Sequence, residues 1–428
     1  MPRLRRPTVD VREQGARGNG KTLDTKAFQR AITEAAKQHG TVRVPKGTYR
    51  VGTMRLRSNV RLVLEAGATL LASTKVADFE TRERLPYPTY SDVETSAFRN
   101  ALVFGERLHD VAIVGEGTID MRRERRFGPK PIALRRCRDV EVAGITIRRA
   151  PNYCVSLGGC DDVVVRGITV RDAFADGIDP DCCRRVRIED CDIESDDDAV
   201  VLKSSLILGV PRPTEDVTVR RCRLNSPSNG FKIGTETSGD IRRVTVSDCR
   251  IDGRPRKGAD PAGLVLAQEG GGVAIESVDG GHVDDIRVTD VTVRACDVPV
   301  FIRLGSRGRG QPTPAPGSIR NVTITRLTAG GATDACTLSG VPGHPVEGIT
   351  FDDVHITTAP AAPPPTGPVP ELEGEYPQAG MFGPLPASGF FVRHAAGVTL
   401  HEVTVECPPG RPIIVSDDVI RLSAEPPL

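Results

Sequence analysis

Short apolar runs alternate with polar residues along most of the chain, and the pattern repeats. Starting at Cys137, Cys160 and Cys183, the sequence reads CRDVEVAGITI, CDDVVVRGITV and CRRVRIEDCDI, so these units are 23 residues apart. Related segments follow at irregular intervals, such as EDVTVRRCRL from Glu215 and AGVTLHEVTV from Ala396. Runs of β-branched residues with a period of two, broken at Gly, Asp or Arg, are typical of strands. Each unit is therefore predicted to carry two or three strands.

The repeat also predicts how the strands assemble. One unit cannot bury its apolar face, whereas stacked units form a continuous core and pair each strand with the units above and below. This favours an all-β fold, a right-handed parallel β-helix. A β-propeller needs longer units of antiparallel hairpins, and the Asn-Gly and Asp-Gly turns of such hairpins do not recur at fixed positions. A β-sandwich remains an alternative.

One segment near the N-terminus has helical periodicity. Residues 22–39, TLDTKAFQRAITEAAKQH, carry a single apolar stripe made of Ala27, Phe28, Ala31, Ile32 and Ala35. Asp24 can cap the start of this helix and Gly40 can end it. We interpret the helix as a cover for the first coil, where an exposed sheet edge would invite aggregation. The predicted organisation is one domain, with an N-terminal cap over 1–54 and the β-helix, which carries the candidate site, over 55–428.

The stretch 359–389, APAAPPPTGPVPELEGEYPQAGMFGPLPASG, interrupts the repeat. It is too rich in Pro and Gly for strands, so we expect a long loop on one face of the β-helix. Such a loop can wall a groove or can be a plain solvated excursion.

Composition excludes some classes of partner. The formal net charge is +1, which argues against nucleic acid, because phosphate binding normally needs a clear basic surplus. No apolar run is long enough to cross a bilayer, so no membrane partner is expected. The start, MPRLRRPTVDVREQG, has no apolar segment behind its arginines and therefore no visible secretory signal. The expected location is extracellular or periplasmic if a leader has been removed, and cytoplasmic otherwise.

The 11 cysteines recur at repeat positions and are odd in number. Free cysteine is among the most buried residue types, so a ladder of reduced core thiols is favoured over disulfides. The pair Cys182 and Cys183 has no CxxC partner or His cluster, and no zinc site is predicted.

Carboxylates cluster at both ends of one repeat unit, in DGIDPDCCRRVRIEDCDIESDDD, which begins at Asp176 and ends at Asp198. A coil of about twenty residues could bring the two ends together. Like-charged neighbours raise the pKa of one acid and leave the others ionised, which is what acid and base catalysis of glycoside hydrolysis requires. Isolated Asp residues usually occupy turns. Three consecutive Asp residues directly before an apolar strand are more typical of a working site.

At four places the sequence resembles glycoside hydrolase family 28, the polygalacturonase and rhamnogalacturonan hydrolase family. The resembling segments are FADGIDPD at 174–181, SDDDAVVLKS at 195–204, SNGFKIGTETSG at 228–239 and FIRLGSRGRG at 301–310. The N-terminal segment and the turn GEGTID at 115–120 are also similar to the family. The resemblance covers nearly the whole chain and implies a parallel β-helix and an inverting hydrolase.

The resemblance also implies roles for single residues. Asp197 would be the general acid that protonates the leaving oxygen, while Asp176 and Asp198 would hold and deprotonate the attacking water. The family's GHG motif falls on 228–230, where Asn229 replaces the His and can donate hydrogen bonds but cannot shuttle protons. The family's RIK motif falls near Arg303, with the Lys lost.

Further polar residues could bind the sugar in this groove. Lys203, Lys232 and Arg307 might each replace the lost Lys charge, although long cations are ordinarily solvated. Glu236 and Arg303 are the remaining candidates for substrate binding. The absence of Trp means that recognition relies on hydrogen bonds and charge. An altered specificity is expected, toward rhamnogalacturonan fragments, another uronate-containing oligosaccharide, or exo action.

Three functions remain open on the sequence. The first is an inverting glycoside hydrolase, polygalacturonase-like and monomeric, that cleaves a galacturonate- or rhamnogalacturonan-containing polysaccharide or oligosaccharide without metal or cofactor. The second is a lyase on the same scaffold whose Asp cluster binds Ca²⁺. The third is a non-catalytic carbohydrate-binding β-helix whose acids are structural.

Overall fold

The computed structural model describes residues 6–253, 270–358, 363, 365 and 367–426. The chain forms two compact units, one of Met1–Tyr87 with Asp92–Ser195 and the other of Pro88–Ser91 with Asp196–Leu428. Among the described residues, no helix combines the length and apolar character needed to cross a membrane. The predicted division into a cap and one β-helical domain stays a prediction.

The described part of the first unit consists of short strands, two α-helices and one 3₁₀ helix. The helices are α1 (Thr25–Lys37), α2 (Val93–Ser96) and the 3₁₀ helix Val76–Asp78. The strands are β1 (Thr8–Asp10), β2 (Asn19–Leu23), β3 (Thr41–Val44), β4 (Gly47–Val51), β5 (Met54–Arg55), β6 (Arg61–Leu64), β7 (Ala68–Ala72), β8 (Ala101–Glu106), β9 (His109–Gly115), β10 (Thr118–Asp120), β11 (Lys130–Arg135), β12 (Arg138–Ala143), β13 (Thr146–Arg148), β14 (Val155–Gly158), β15 (Asp161–Arg166), β16 (Thr169–Ala173), β17 (Ile178–Asp181), β18 (Arg184–Glu189) and β19 (Asp192–Ser195).

These strands form three parallel sheets, because each coil contributes one strand to each sheet. The first sheet pairs β1, β3, β6, β9, β12, β15 and β18 in that order. The second pairs β2, β4, β7, β10, β13, β16 and β19. The third pairs β5, β8, β11, β14 and β17. The predicted all-β, parallel β-helix class is confirmed.

The repeat of 23 residues sets the register of the core. Val140 pairs with Val163, and Val163 with Val186, so like residues stack in a column whose members are at most 2% exposed. Next to this column, Asp162 and Arg185 both have φ of 55° and occupy equivalent positions in successive coils. Asp tolerates this left-handed region better than most residues, which explains the recurrent acid at the bend.

The predicted helix is present and slightly shorter than expected. The predicted apolar stripe is the buried face of α1, and the helix contacts β1, β3 and β5. Asp24 stands at the N-cap position, but its carboxylate accepts hydrogen bonds from the backbone N–H groups of Arg17 and Gly18 and makes no cap bond to the helix. The helix ends at Lys37, and His39 and not Gly40 takes the left-handed conformation, with φ of 52°.

The described part of the second unit consists of longer strands: β20 (Val200–Ser204), β21 (Thr214–Arg220), β22 (Arg223–Ser226), β23 (Asn229–Thr237), β24 (Ile241–Gly253), β25 (Gly271–Ser277), β26 (His282–Arg294), β27 (Val298–Leu304), β28 (Ser318–Ala332), β29 (Cys336–Ser339), β30 (Val346–Thr358), β31 (Phe390–Glu406) and β32 (Ile414–Glu425). One parallel sheet, called here the site sheet, pairs β20, β23, β25, β27, β29 and the first residues of β31. The remaining strands pair with β24 or follow it as β26, β28, β30, β31 and β32.

All eleven cysteines lie in described ranges, and all are free thiols. Ten are buried, and Cys407 is partly buried. Cys160 and Cys183 stack in the first unit, where the backbone N–H of Cys160 lies 3.3 Å from the Cys183 sulfur. The expected ladder of reduced core thiols is therefore present.

The described part of the proline-rich stretch contains neither helix nor strand, as predicted, while residues 359–362, 364 and 366 lie outside the described residues. The segment 367–389, called here the proline-rich loop, packs against the outer face of the site sheet. Its contribution to this contact includes Ala379, Phe382 and Leu385, which form an apolar cluster with Phe301 and Phe391 of the sheet.

Candidate active site

The outer face of the site sheet carries a column of buried polar residues. Along β23, β25 and β27 the residues Ile233, Ile275 and Ile302 pair with one another and are fully buried in the core. Side chains alternate across a strand, so the residues on either side of these isoleucines lie on the opposite, outer face. There Glu276 pairs with Arg303, and Arg303 pairs with Ser339.

Asp198 is the most firmly held acid of this unit. It lies in the bend before β20 and is 5% exposed. Its Oδ1 accepts hydrogen bonds from Asn229 Nδ2 at 2.7 Å and from Ser228 Oγ at 3.1 Å, while Lys232 Nζ lies 3.4 Å from Oδ2. A carboxylate with two donors and a cation is favoured in its ionised form, which is the form that can take a proton from water.

Asp197 differs from its neighbour in exposure, because it is only partly buried. Its Oδ1 accepts a hydrogen bond from the backbone N–H of Asp198, and its carbonyl oxygen accepts one from Ser226 Oγ at 2.7 Å. The backbone of the bend is thus fixed to β22, and two consecutive acids are held in different environments. Such a difference is what separates an acid from a base in glycoside hydrolysis.

Lys232 lies between two carboxylates. Its Nζ is 3.4 Å from Asp198 and 3.7 Å from Glu276 Oε2, and it faces the Tyr376 ring of the proline-rich loop at 5.6 Å. Burial lowers the pKa of Lys232, but Asp198, Glu276, Tyr376 and Asp197 outweigh burial and raise that pKa well above its ordinary value. The ammonium therefore stays charged although the residue is only 3% exposed.

A bulge in β23 brings a second charged pair to this face. Leu202 pairs with Ile233 and Ser204 with Thr237, so β23 has two residues more than β20 between these pairs. Bulges redirect side chains, and this one carries Glu236, which lies 4.0 Å from Lys203 Nζ and 3.6 Å from Arg309. Burial would raise the pKa of Glu236, but the surrounding Lys and Arg side chains lower it.

The expectation that the two lysines and Arg307 are solvated is wrong. The Lys203 and Lys232 side chains are 5% and 4% exposed, and that of Arg307 is 9% exposed. Arg307 donates two hydrogen bonds to Asp279, at 3.0 and 2.6 Å, and one to the carbonyl oxygen of Thr235. Each cation is buried because carboxylates on neighbouring strands compensate its charge.

Arg303 lies beneath the proline-rich loop, with 1% exposure. Its guanidinium donates to Ser339 Oγ and to the carbonyl oxygens of Gly340, Glu371 and Leu372, over distances of 2.7 to 3.1 Å. Burial, with the nearby Arg393, lowers the pKa of Arg303 to about 10. Its contacts with protein groups hold the loop on the sheet.

Asp176 belongs to the first unit. It lies in the bend between β16 and β17, is 3% exposed, and its carbonyl oxygen accepts a hydrogen bond from Cys154 N–H at 3.0 Å. Burial, together with the charge of Asp176, raises the pKa of the Cys154 thiol. Asp179 and Asp181 follow on β17, and both are 2% exposed.

Of the predicted site residues, the second unit brings together Asp198, Asn229 and Lys232, and separately Lys203 and Glu236. Sequence reasoning missed Glu276, Asp279 and Tyr376. A single acid within the apolar run GVAIES was an available signal for Glu276. Its strand was overlooked because 33 residues, Thr237 aside, separate it from the site-sheet strand before it, and no fixed repeat length marks it.

Comparisons with known proteins agree with this arrangement. Residues 35–365 match the model of "Glycosyl hydrolases family 28". A "Probable polygalacturonase" of Vitis vinifera is 30% identical over 375 residues, which cover 81% of this chain and 73% of that protein.

Two solved structures have a similar fold. One is the family 28 exopolygalacturonase of Yersinia enterocolitica, with a TM-score of 0.72, 17% identity, and coverage of 97% of this chain and 78% of that one. The other is the hyperthermoactive exopolygalacturonase of Thermotoga maritima, with a TM-score of 0.71, 22% identity, and coverage of 96% and 95%. At these identities the likeness extends to the parallel β-helix itself.

Proposed function

Because the chain belongs to family 28 of the glycosyl hydrolases, we propose that it hydrolyses a pectin-type polysaccharide or its oligosaccharides, with inversion at the anomeric carbon. The observation that carries the proposal is the buried Asp198 carboxylate, held by Asn229, Ser228 and Lys232 directly beside the more exposed Asp197. The substrate class is supported by the name of the Vitis vinifera relative.

In the proposed reaction, Asp197 gives its proton to the leaving glycosidic oxygen as that bond breaks. A water molecule attacks the anomeric carbon, and its proton passes to a carboxylate of Asp176 or Asp198. Asp198 suits the second role because its hydrogen bonds and the Lys232 ammonium favour the ionised form. The part of Asp176 rests on the family motif.

The same proposal assigns the substrate contacts. Lys203 and Lys232 supply positive charge for a uronate carboxylate, while Asn229 and Glu236 supply hydrogen bonds for hydroxyl groups. Arg303 contributes through the loop that it holds, since its donors already serve Ser339 and three carbonyl oxygens.

We also propose that the substrate is short or is cut near its end. The proline-rich loop covers the outer face of the site sheet at Phe301, Arg303, Phe391 and Arg393, each at most 3% exposed. A polymer lying along this face would meet the loop there. Exo action or cleavage of oligosaccharides fits such a site better than internal cleavage of a long chain. The proposed enzyme is a monomer and needs no nucleic acid or membrane.

The test is product analysis with polygalacturonate, rhamnogalacturonan and oligomers of both. We expect new reducing ends, released from short oligomers faster than from polymers, with inverted configuration in early proton NMR spectra. Asp197→Asn and Asp198→Asn serve as matched inactive variants. Release of an internal ladder of long fragments would contradict exo action.

The same experiment addresses the other two functions. Unsaturated products that absorb in the ultraviolet and are lost with chelator would indicate a Ca²⁺-dependent lyase. Binding without cleavage over the whole substrate panel would indicate a non-catalytic module. The family assignment supports neither alternative.

A further inference from the structure

Glu276 is a buried acid of the site sheet with no part in the reaction as proposed. It is 0% exposed, and among the described residues its Oε1 has no hydrogen-bond partner. Its Oε2 lies 3.7 Å from Lys232 Nζ and 3.4 Å from Thr235 Oγ1. A buried carboxylate oxygen without a donor is destabilising, so its retention calls for a role outside folding.

The contact with Lys232 links Glu276 to the acid and base pair. Because one ammonium lies 3.4 Å from Asp198 and 3.7 Å from Glu276, the two carboxylates are at most about 7 Å apart. At that separation, inside a protein, two like charges influence each other's proton affinity substantially. The single cation between them cannot neutralise both.

Several groups face Glu276 and act on its charge. Burial, supported by Asp198, raises the pKa of Glu276 to about 7, while Lys232, the Thr235 hydrogen bond and Arg307 act in the opposite direction. Tyr376 of the proline-rich loop completes this environment, since its hydroxyl lies 3.1 Å from Thr235 Oγ1 and its ring faces Lys232 and Arg307. Glu276 therefore changes charge within the pH range in which a hydrolase of this kind works.

We propose that Glu276 is a positioning residue of the active site, which holds Lys232 against Asp198 and whose negative charge raises the proton affinity of Asp197 and Asp198. The inference rests on the proposed function. When Glu276 ionises, Asp197 retains its proton to a higher pH, and Asp198 becomes a stronger base. Both changes support hydrolysis on the alkaline side of the pH profile.

The experiment measures kcat and KM against pH for the wild type and Glu276→Gln, a variant of the same shape without the charge. We expect the alkaline limb of kcat to move about one pH unit lower, so that kcat on that limb falls about tenfold, while KM changes less than about threefold. Glu276→Asp keeps the charge and should restore part of the limb.

Asp334→Asn is the matched control. Asp334 is another acid of the second unit whose pKa burial raises, to about 6, but its neighbours are Arg411 and Asp297 and not Lys232. Its substitution should leave the profile of kcat unchanged. Superimposable profiles for Glu276→Gln and the wild type would overturn the proposal, and so would a raised KM with unchanged kcat, because that pattern indicates a substrate contact.

A second measurement covers variants that fold poorly and a wild type that cleaves no pectic substrate. The pH dependence of unfolding is compared for the wild type, Glu276→Gln, Asp198→Asn and the double variant. Since the charge of Asp198 raises the pKa of Glu276, Asp198→Asn should move the Glu276 titration to lower pH. An unmoved titration would overturn the coupling, whereas absent cleavage with a moved titration would count against the proposed function alone. If Glu276→Gln does not fold, Thr235→Val replaces it, with a smaller shift of the kcat limb in the same direction expected, because loss of that hydrogen bond raises the pKa of Glu276.

Discussion

Glu276→Gln should change how the stability of the protein depends on pH. The carboxyl group titrates at its ordinary pKa of 4.5 in the unfolded chain and at about 7 in the folded chain. Between these values the folded protein binds more protons than the unfolded protein, so the free energy of unfolding falls as pH rises. The stability associated with the protonated group is complete below pH 4.5 and is lost by about pH 7.

The size of the effect follows from the difference in pKa. A shift from 4.5 to about 7, at 1.36 kcal/mol for each unit, corresponds to about 3 kcal/mol. The full figure applies because the side chain is 0% exposed, with no solvent to screen it. Glutamine does not titrate, so the stability of the variant relative to the wild type should rise by about 3 kcal/mol between pH 4 and pH 8.

Equilibrium unfolding in urea at pH 4, 5, 6, 7 and 8 measures this difference. The other titrating groups are shared by both proteins, so the comparison between variant and wild type isolates Glu276. Asp334→Asn should show a change of the same sign with no effect on kcat, which separates a titration that matters for stability from one that also matters for catalysis. A difference in stability that is constant from pH 4 to pH 8 would refute the raised pKa of Glu276.

Three further predictions follow from the site. Asp197→Asn and Asp198→Asn should each abolish turnover while circular dichroism and the unfolding midpoint stay near those of the wild type; near-normal rates would remove that residue from its assigned role. Asn229→His should raise polygalacturonate hydrolysis only slightly, because Lys232 and Ser228 still surround Asp198, and a large gain would show that Asn229 alone sets the specificity. Arg303→Met should release the proline-rich loop, with a stability loss of about 2–4 kcal/mol and faster proteolytic cleavage in 367–389, and an unchanged cleavage pattern would contradict its anchoring role.

The fold could be predicted because the repeat acts at the level of the coil. A period of 23 residues places Val140, Val163 and Val186 in one column, and the same arithmetic applies to every strand in that stretch. The stripe on α1 was equally direct, since the burial of a helix follows its 3.6-residue period. The N-cap role of Asp24 could not be predicted, because the carboxylate has competing backbone donors at Arg17 and Gly18 that only the tertiary structure brings near.

The charged residues of the site were harder to predict than its apolar core. A lysine in a strand is ordinarily solvated, and nothing within a few residues of Lys232 indicates otherwise. Its burial depends on Glu276, which follows 44 positions later and is adjacent only because β25 pairs with β23. Pairings over such distances are set by the lengths of insertions, which the repeat does not specify.

The position of the proline-rich loop depends on contacts that sequence cannot encode specifically. Arg303 and Arg393 bind the carbonyl oxygens of Val369, Pro370, Glu371 and Leu372, and every residue of any loop offers such an oxygen. The informative side is therefore the sheet, where two arginines occupy outward positions of neighbouring strands and need acceptors that water would otherwise supply. A loop that satisfies them also carries Tyr376 to Lys232, so the stability of the loop and the electrostatics of the acid pair are linked through one segment. Weakening the arginine contacts should consequently alter the pH profile of hydrolysis as well as the loop.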